Sequence, residues 1–208
     1  MSKARPDESD LSLVSDEELL ARYRQGNSRA FTVLVQRYER ELYNYLRRYL
    51  GDATLAEDVF QNTFLQLHLK LDLYEPGRLV RPWLYTIATN QAIDTLRKAA
   101  RQRTVSLDAK GPSLDESSQS FVDLIHGTSE DPLQALELEE RRQWVRDALE
   151  RLPTYMRAVV VLAYYQGLKY REIAEILDIP VGTVKSRLHA AIAKLAEAWK
   201  AAQSVAEH

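Results

Sequence analysis

A short stretch near the C-terminus concentrates side chains that donate hydrogen bonds to phosphates and to base edges. These side chains are Thr183, Lys185, Ser186 and Arg187. Such groups position a protein on the DNA backbone and read bases in the major groove. The predicted helix that carries them has no acidic residue before Glu197, which suits a surface that faces a polyanion. The stretch therefore predicts contact with duplex DNA.

A second cluster, in the middle of the sequence, interleaves aromatic rings with cations. The rings are Tyr74, Trp83 and Tyr85, and the cations are Arg78, Arg81, Arg97 and Lys98. Flat aromatic faces along a basic track are typical of sites for unstacked, single-stranded bases. The alternative is structural, because a tryptophan near a helix start is more often a core anchor than a platform for a base. Both interpretations of Trp83 stay open at this point.

The C-terminal stretch needs a scaffold, and the sequence predicts a helix-turn-helix for it. Helices are predicted over about 170–177 and 181–200, on either side of Asp178-Ile179-Pro180. Their shared apolar seam consists of Ile173, Leu177, Ile179, Val184 and Leu188. Ala174 is small where the two helices would cross closely. The alternative is an ordinary αα-hairpin without a DNA-binding role, whose cations lie on a solvated face. The turn, the seam and the basic edge together favour DNA binding.

The rest of the sequence also predicts helices. Capping boxes at Ser15–Glu18 and Thr54–Glu57 each predict a helix start. Apolar residues in steps of three and four predict a long helix from about Ser28 to Leu50, ended by Gly51. Further helices are predicted from a first turn containing Pro82 to about Gln102, over 132–151 and over 154–166.

The predicted fold class is all-α, with two small helical domains over 15–103 and 132–200. Residues 104–131 are rich in Ser, Asp, Gly and Pro without a sustained period, which predicts a flexible acidic linker. Charge follows a similar division, since 78–103 holds six basic residues and one acid, whereas 104–140 holds nine acids and one base. The net charge of −2 conceals this segregation.

Composition disfavours several classes of protein. The 208-residue chain has no cysteine, so it has no disulfide and no thiolate metal site, in keeping with a reducing cytosol. The longest apolar run, Ala158 to Tyr165, is too short to cross a bilayer, and the polar N-terminus lacks the apolar core of a signal peptide. We therefore expect a cytoplasmic protein without membrane insertion. The four histidines lack metal-ligand spacing and there is no Gly-rich phosphate loop, so we expect no enzyme activity, metal or cofactor.

Three stretches carry a resemblance to a known family. They are Ala56 to Phe64, then Pro82 to Asn90 with Asp94 and Arg97-Lys98, then Leu152 to Leu195 with its Gly182 to Arg187 segment. In this order they resemble regions two and four of the extracytoplasmic-function (ECF) sigma factors of the sigma-70 family. Residues 15–103 would be region two and 132–200 region four. The resemblance implies a subunit that binds core RNA polymerase and directs initiation at specific promoters.

The resemblance also implies a role for each stretch. The polymerase-binding residues would be Asp58, Gln61, Asn62, Phe64 and Leu65. A pocket for a melted base of the start-proximal promoter element would lie near Lys70, Tyr74, Ile87 and Asn90. The upstream element would be read as duplex by Lys185, Ser186, Arg187 and His189. Phe64 is equally a core candidate. The implied partners are core RNA polymerase, promoter DNA in duplex and single-stranded form, and an anti-sigma factor.

The sequence departs from the family pattern at three places. Ala190 stands where many relatives have Arg, which removes a phosphate or guanine contact. Leu79-Val80 replaces a Ser/Thr-rich stretch in the loop from Glu75 to Arg81. The acidic linker has no counterpart that aligns residue by residue; it would thread the polymerase's RNA path or be a passive solvated tether.

Two other classes of protein compete with this interpretation. A conventional helix-turn-helix repressor or activator would need only the C-terminal helices, with residues 1–103 as a sensor or dimerisation domain. Such a protein binds duplex DNA alone and usually as a dimer, whereas a sigma factor needs core polymerase. A scaffold between regulators would leave the basic stripes unexplained.

Overall fold

The computed structural model describes residues 11–103 and 132–206. Its helices are α1 (Asp16–Arg24), α2 (Ser28–Leu50), α3 (Ala53–Leu69), α4 (Val80–Arg103), α5 (Pro132–Arg151), α6 (Thr154–Val160), α7 (Tyr170–Leu177) and α8 (Val181–Ala206). Two 3₁₀ turns, Leu11–Leu13 and Leu71–Leu73, and one π-helical turn, Val161–Tyr165, complete them. The described residues contain no strand, which confirms the all-α prediction. The predicted linker, 104–131, lies outside them.

The N-terminal bundle, α1 to α4, is built around the apolar stripe of α2. That stripe is enclosed completely at Leu34, Leu42, Tyr45 and Leu46. α3 and α4 pack against α2 and against each other. Gly51 ends α2 in the left-handed conformation, with a φ of +76°, where a side chain would be strained. The predicted bounds of α2 are therefore confirmed.

The two predicted capping boxes have different outcomes. The Ser15 hydroxyl accepts a hydrogen bond at 3.3 Å from an N–H in the first turn of α1, which confirms this N-cap. The prediction of Thr54 as the second N-cap is wrong. Asp52 caps α3 instead, and its carboxylate accepts from the N–H of Leu55 at 2.9 Å. Asp52 directly follows the left-handed Gly51, so the chain enters the new helix before it reaches Thr54.

The C-terminal bundle, α5 to α8, has α6 and its π turn at the centre. Ala158, Val159, Val160 and Leu162 are almost completely buried there. The rings of Trp144 on α5 and Trp199 on α8 meet edge to face with centroids 4.8 Å apart, which ties the first and last helices together. The predicted bounds of α5 and α7 are confirmed, and α8 continues to Ala206 rather than ending near Lys200.

The two bundles contact each other. α4 packs against α7, and α2 packs against α5, α6 and the π turn. One face of α4 is therefore turned toward the N-terminal bundle and another is partly covered by the C-terminal bundle.

Within residues 11–103 and 132–206, no helix has the length and apolar character that a bilayer crossing requires. In the same two ranges, no group of three or more His, Asp or Glu side chains is placed to hold a metal ion.

Candidate nucleic-acid interface

The turn between α7 and α8 is closed by an aspartate rather than by glycine. Asp178 adopts a φ of +51° at the end of α7, a left-handed conformation that a short polar side chain tolerates. The N–H of Ile179 then donates to the carbonyl of Ala174 at 3.0 Å, which completes the helix end. Val184 and Leu188 are buried in the first turns of α8. The remaining circumference of these turns is accessible to a ligand.

The five residues predicted to read duplex DNA lie on this accessible part of α8. Lys185, Ser186 and His189 are exposed, whereas Thr183 and Arg187 are half-buried. The Ser186 hydroxyl donates to the carbonyl of Thr183 at 3.1 Å. The guanidinium carbon of Arg187 lies 5.2 Å from the centroid of the Tyr155 ring at the start of α6. That ring restrains the arginine beside the helix through a cation–π contact.

Two of the predicted base platforms, Tyr74 and Trp83, lie in the core. Trp83 is 8% exposed and Tyr74 is 6% exposed, and their ring centroids are 5.0 Å apart. The Tyr74 hydroxyl donates to the carbonyl of Arg78, which fastens the loop between α3 and α4. This burial supports the core-anchor alternative for Trp83. Binding of a base to either ring stays a prediction.

Tyr85 is completely buried on α4. Its ring meets that of Tyr45 at a centroid distance of 5.1 Å, and its hydroxyl lies 2.8 Å from Glu41 Oε1 and 2.7 Å from Gln166 Oε1. Because a phenol has one proton, these two acceptors share it. Burial, and next the charge of Glu41, raise the pKa of Tyr85, so the hydroxyl stays a donor. Ile87, predicted to line a base pocket, is also buried.

The predicted polar contacts to single-stranded DNA are mostly accessible and are spread along the chain. Lys70 and Arg78 are exposed around the loop between α3 and α4. Arg81 is half-buried, with Nη2 2.5 Å from Glu41 Oε1. Farther along α4, exposed side chains share one face at steps of seven and eight: Asn90, Arg97 and Lys98. A helical rise of 1.5 Å per residue separates Arg81 from Arg97 by about 24 Å along α4, and 3.6 residues per turn put Arg81 on nearly the opposite side of the helix from Arg97. The predicted cations of α4 therefore do not form one continuous track.

The predicted polymerase-binding residues lie on α3. Four of them occupy one exposed helix face at steps of three and four: Asp58, Gln61, Asn62 and Leu65. Phe64 differs from them, because it is only 7% exposed. Its ring meets Phe31 at 6.2 Å and Phe60 at 5.2 Å, each edge to face. This burial and these ring contacts support the alternative that Phe64 is a core residue.

A groove beside this face of α3 was not predicted. It encloses about 470 Å³ and is lined by Glu39, Arg40, Tyr43, Glu57, Phe60 and Gln61. Only Gln61 belongs to the predicted polymerase-binding set. Helical spacing assigns Phe60 to the core, yet it is half-buried and opens onto the groove. The sequence feature that could have indicated the groove is Tyr43, an aromatic residue outside the buried stripe of α2.

Comparison with known proteins assigns the chain to a family. Residues 34–102 match the family model of Sigma-70 region 2, and residues 142–195 match that of Sigma-70 region 4. The ECF RNA polymerase sigma factor SigW of Bacillus subtilis is 35% identical over 167 residues, which span 80% of this chain and 87% of SigW. The chain belongs to the ECF RNA polymerase sigma factors. This sigma factor is also 33% identical over 176 residues to the sigma-E factor of Escherichia coli, spanning 84% and 89% of the two chains.

Solved structures agree with this assignment. CnrH, solved in complex with the cytosolic domain of CnrY, superposes with a TM-score of 0.63 at 28% identity, covering 89% of this sigma factor and 97% of CnrH. The sigma factor RpoE of Bartonella quintana, solved with the anti-sigma factor NepR, has the same fold, with a TM-score of 0.60 at 24% identity and coverage of 82% and 96%. The site residues of α3 and α4 lie within the region 2 match, and those of α8 lie within the region 4 match.

Proposed function

We propose that this sigma factor binds core RNA polymerase and directs it to specific promoters, by binding alone and without catalysis of its own. The observation that carries the proposal is the accessible edge of α8, where Lys185, Ser186 and His189 face solvent beside Arg187. A basic, preformed edge on the second helix of a helix-turn-helix fits the major groove. Region 4 would thus read the upstream element as duplex. The half-buried Ala190 adds no cation to this contact.

Region 2 would supply the second DNA contact, at the start-proximal element. The exposed residues Lys70, Arg78, Asn90, Arg97 and Lys98 would hold the phosphates and edges of a melted strand. Capture of unstacked bases stabilises open DNA, so binding energy would drive melting without ATP. Since Trp83 and Tyr85 are buried, the polar groups form the accessible part of this contact.

The polymerase contact would use the exposed face of α3 and the groove beside it. Leu65 and Leu69 lie one turn apart on α3 and are 51% and 64% exposed, and Leu73, in the 3₁₀ turn that follows, is 74% exposed. Several exposed apolar side chains with polar residues beside them are typical of a protein contact surface. Asp58 and Asn62 are the polar residues here.

An anti-sigma factor is the proposed regulatory partner. CnrH was solved with the cytosolic domain of CnrY, and RpoE of Bartonella quintana with the anti-sigma factor NepR. The exposed side chains of Leu65, Leu69 and Leu73 support the extension to this chain, because a partner that covered them would compete with polymerase.

Transcription by purified core RNA polymerase on a library of promoter fragments tests the proposed function. We expect discrete start sites only when this sigma factor is added. A protein that shifts duplex DNA alone, but neither binds core polymerase nor supports initiation, would be a repressor or activator instead.

The polymerase contact has its own test. Gln61→Ala combined with Leu65→Ala removes two exposed groups of α3, and we expect core binding to weaken by roughly 10-fold. The matched control combines Gln36→Ala with Leu13→Ala, which are the same changes at exposed positions away from α3. Equal core binding by the two double variants would contradict the assignment of α3.

A further inference from the structure

The exposed face of α4 carries one acidic residue between its predicted DNA contacts. Asp94 lies four residues after Asn90 and three before Arg97, so the three side chains share one side of the helix. The Asp94 side chain is 59% exposed and that of Arg97 is 69% exposed. Asp94 is the one acid in residues 78–103, against six basic residues. Because an acid on a surface that faces a polyanion lowers affinity, Asp94 must contribute something else.

The ion pair with Arg97 does not account for Asp94. Arg97 Nη1 lies 3.5 Å from Asp94 Oδ1, which is longer than the usual range for a hydrogen bond. The ion pair of Arg22 with Glu18 in α1 is tighter, with Nε and Oε1 2.8 Å apart. Exposed pairs contribute little to stability. The Asp94 carboxylate is therefore available to a ligand as a hydrogen-bond acceptor.

A strand that contacts both Asn90 and Arg97 has to pass Asp94. The helical rise separates Asn90 from Arg97 by about 10 Å along α4. A nucleic-acid strand advances by about 3.4 Å per nucleotide, so about three nucleotides span this distance and the middle one lies beside Asp94. A phosphate there would be repelled by the carboxylate and would have no proton to donate to it. The group that faces Asp94 must therefore be the edge of a base.

Asp94 can select among bases because an ionised carboxylate only accepts hydrogen bonds. Cytosine, adenine and guanine each carry an exocyclic amino group that donates, whereas thymine carries an oxygen and a methyl group instead. We propose that Asp94 is a specificity-determining residue of region 2, which binds the amino group of the base beside it and rejects thymine. The inference deepens the proposed function and rests on it. Asp94 thus lowers affinity for every sequence, but most for sequences with thymine at this position.

Selection from a randomised start-proximal element tests the proposal in the complex with core polymerase. We expect the unsubstituted complex to deplete thymine at one position by roughly 10-fold. Asp94→Ala should remove this depletion and leave the preferences at other positions unchanged. Asp94→Asn keeps the shape but adds a donor for the thymine oxygen, so it should also admit thymine. The matched control is Asp147→Ala on α5, at an exposed position that accepts from Gln143 at 2.8 Å, and it should retain the depletion.

A modified base separates the amino group from the methyl group. 5-Methylcytosine has the methyl group of thymine and the amino group of cytosine. At the selected position, we expect the unsubstituted complex to bind 5-methylcytosine as tightly as cytosine, and thymine roughly 10-fold more weakly. Equal rejection of 5-methylcytosine and thymine would mean that the methyl group is excluded by shape, which overturns the proposal.

Two further variants distinguish base recognition from an indirect effect through Arg97. Asp94→Ala should bind random-sequence DNA roughly 2- to 5-fold more tightly, because a negative charge is lost, whereas loss of a merely structural residue would not raise affinity. Arg97→Ala should weaken binding to every sequence and still deplete thymine. If Arg97→Ala also abolishes the depletion, Asp94 acts only by orienting Arg97 and the proposal is wrong.

The same selection separates this inference from the proposed function. Enriched positions that Asp94→Ala leaves entirely unchanged would contradict the role of Asp94 and leave promoter recognition intact. A complex that enriches no sequence at all would contradict the proposed function itself, and the role of Asp94 with it.

Discussion

The side chains predicted to bind DNA are presented differently by α8 and by α4. On α8, the buried Val184 and Leu188 lie on one side and leave Lys185, Ser186 and His189 in solvent. α4 instead contacts both bundles, since α2 and α3 contact it from within the N-terminal bundle and α7 contacts it from the C-terminal bundle, whereas the contacts of α8 with α5, α6 and α7 lie within its own bundle. An edge for duplex DNA can be preformed on a helix whose packing leaves one side of its first turns open. Residues on a helix packed between two bundles hold the fold together first.

This difference makes Trp83→Ala the most damaging of the substitutions we predict. Trp83 is 8% exposed and packs on Tyr74, so its removal leaves a cavity in the N-terminal bundle. We expect the free energy of unfolding to fall by about 3–5 kcal/mol, as measured by urea denaturation. Asn90→Ala, at an exposed position on the same helix, should change stability by less than about 0.5 kcal/mol. Similar stabilities for the two variants would identify Trp83 as a ligand-facing platform.

The edge of α8 that we propose reads duplex DNA should respond in the opposite way, with binding lost and stability unchanged. Combining Lys185→Ala with Arg187→Ala removes two cations from the accessible part of α8. We expect the complex with core polymerase to bind promoter fragments roughly 100-fold more weakly, or about 2.7 kcal/mol. The dependence of log affinity on log salt should also lose about two from its slope. Lys194→Ala with Lys200→Ala, farther along α8, is the control of equal charge.

The features that could be predicted from the sequence are those that a local pattern defines, and contacts between distant residues could not be predicted. The bounds of α2 were predictable because a local stripe and one glycine define them, and the helix-turn-helix was predictable because its seam lies within a short span of sequence. Helical spacing marks which residues of α4 are apolar, but it does not reveal what covers them. Tyr85 meets Gln166 across 81 residues of sequence, and no local pattern encodes that contact. The N-cap of α3 was missed for a smaller reason, since Asp52 and Thr54 are both good caps two residues apart.

Burial in the N-terminal bundle also predicts a loss of stability at high pH. Burial raises the pKa of Tyr49 from 10.0 to about 12, against the opposing charges of Arg157 and Arg97. The unfolded chain ionises this phenol near its ordinary pKa, so the stabilisation is complete below pH 10.0 and is lost as the pH rises toward about 12. One pH unit above 10.0, we expect the free energy of unfolding to have fallen by about 1.4 kcal/mol.

Urea denaturation at a series of alkaline pH values measures this effect. Tyr49→Phe should reduce the fall in stability between pH 10.0 and about 12, and the control is Tyr155→Phe, which makes the same change at a position that is 47% exposed. The buried Tyr45 and Tyr85, whose pKa values burial also raises, will keep part of the slope in both variants. A slope that Tyr49→Phe does not alter would mean that this phenol reaches solvent when it ionises.

The smallest expected effect concerns how the exposed edge is held in place. Tyr155 lies under the Arg187 guanidinium at 5.2 Å, so it orients a side chain that we propose contacts DNA. We expect Tyr155→Leu to weaken promoter binding by roughly 2- to 5-fold, the contribution of a cation–π contact at an exposed site, whereas Tyr155→Phe keeps the ring and the affinity. Because both variants keep Lys185 and Arg187, the salt slope should stay that of the unsubstituted protein. A reduced slope in Tyr155→Leu would show that the arginine leaves the phosphates altogether when its support is removed, and the edge of α8 would then be less preformed than its exposure indicates.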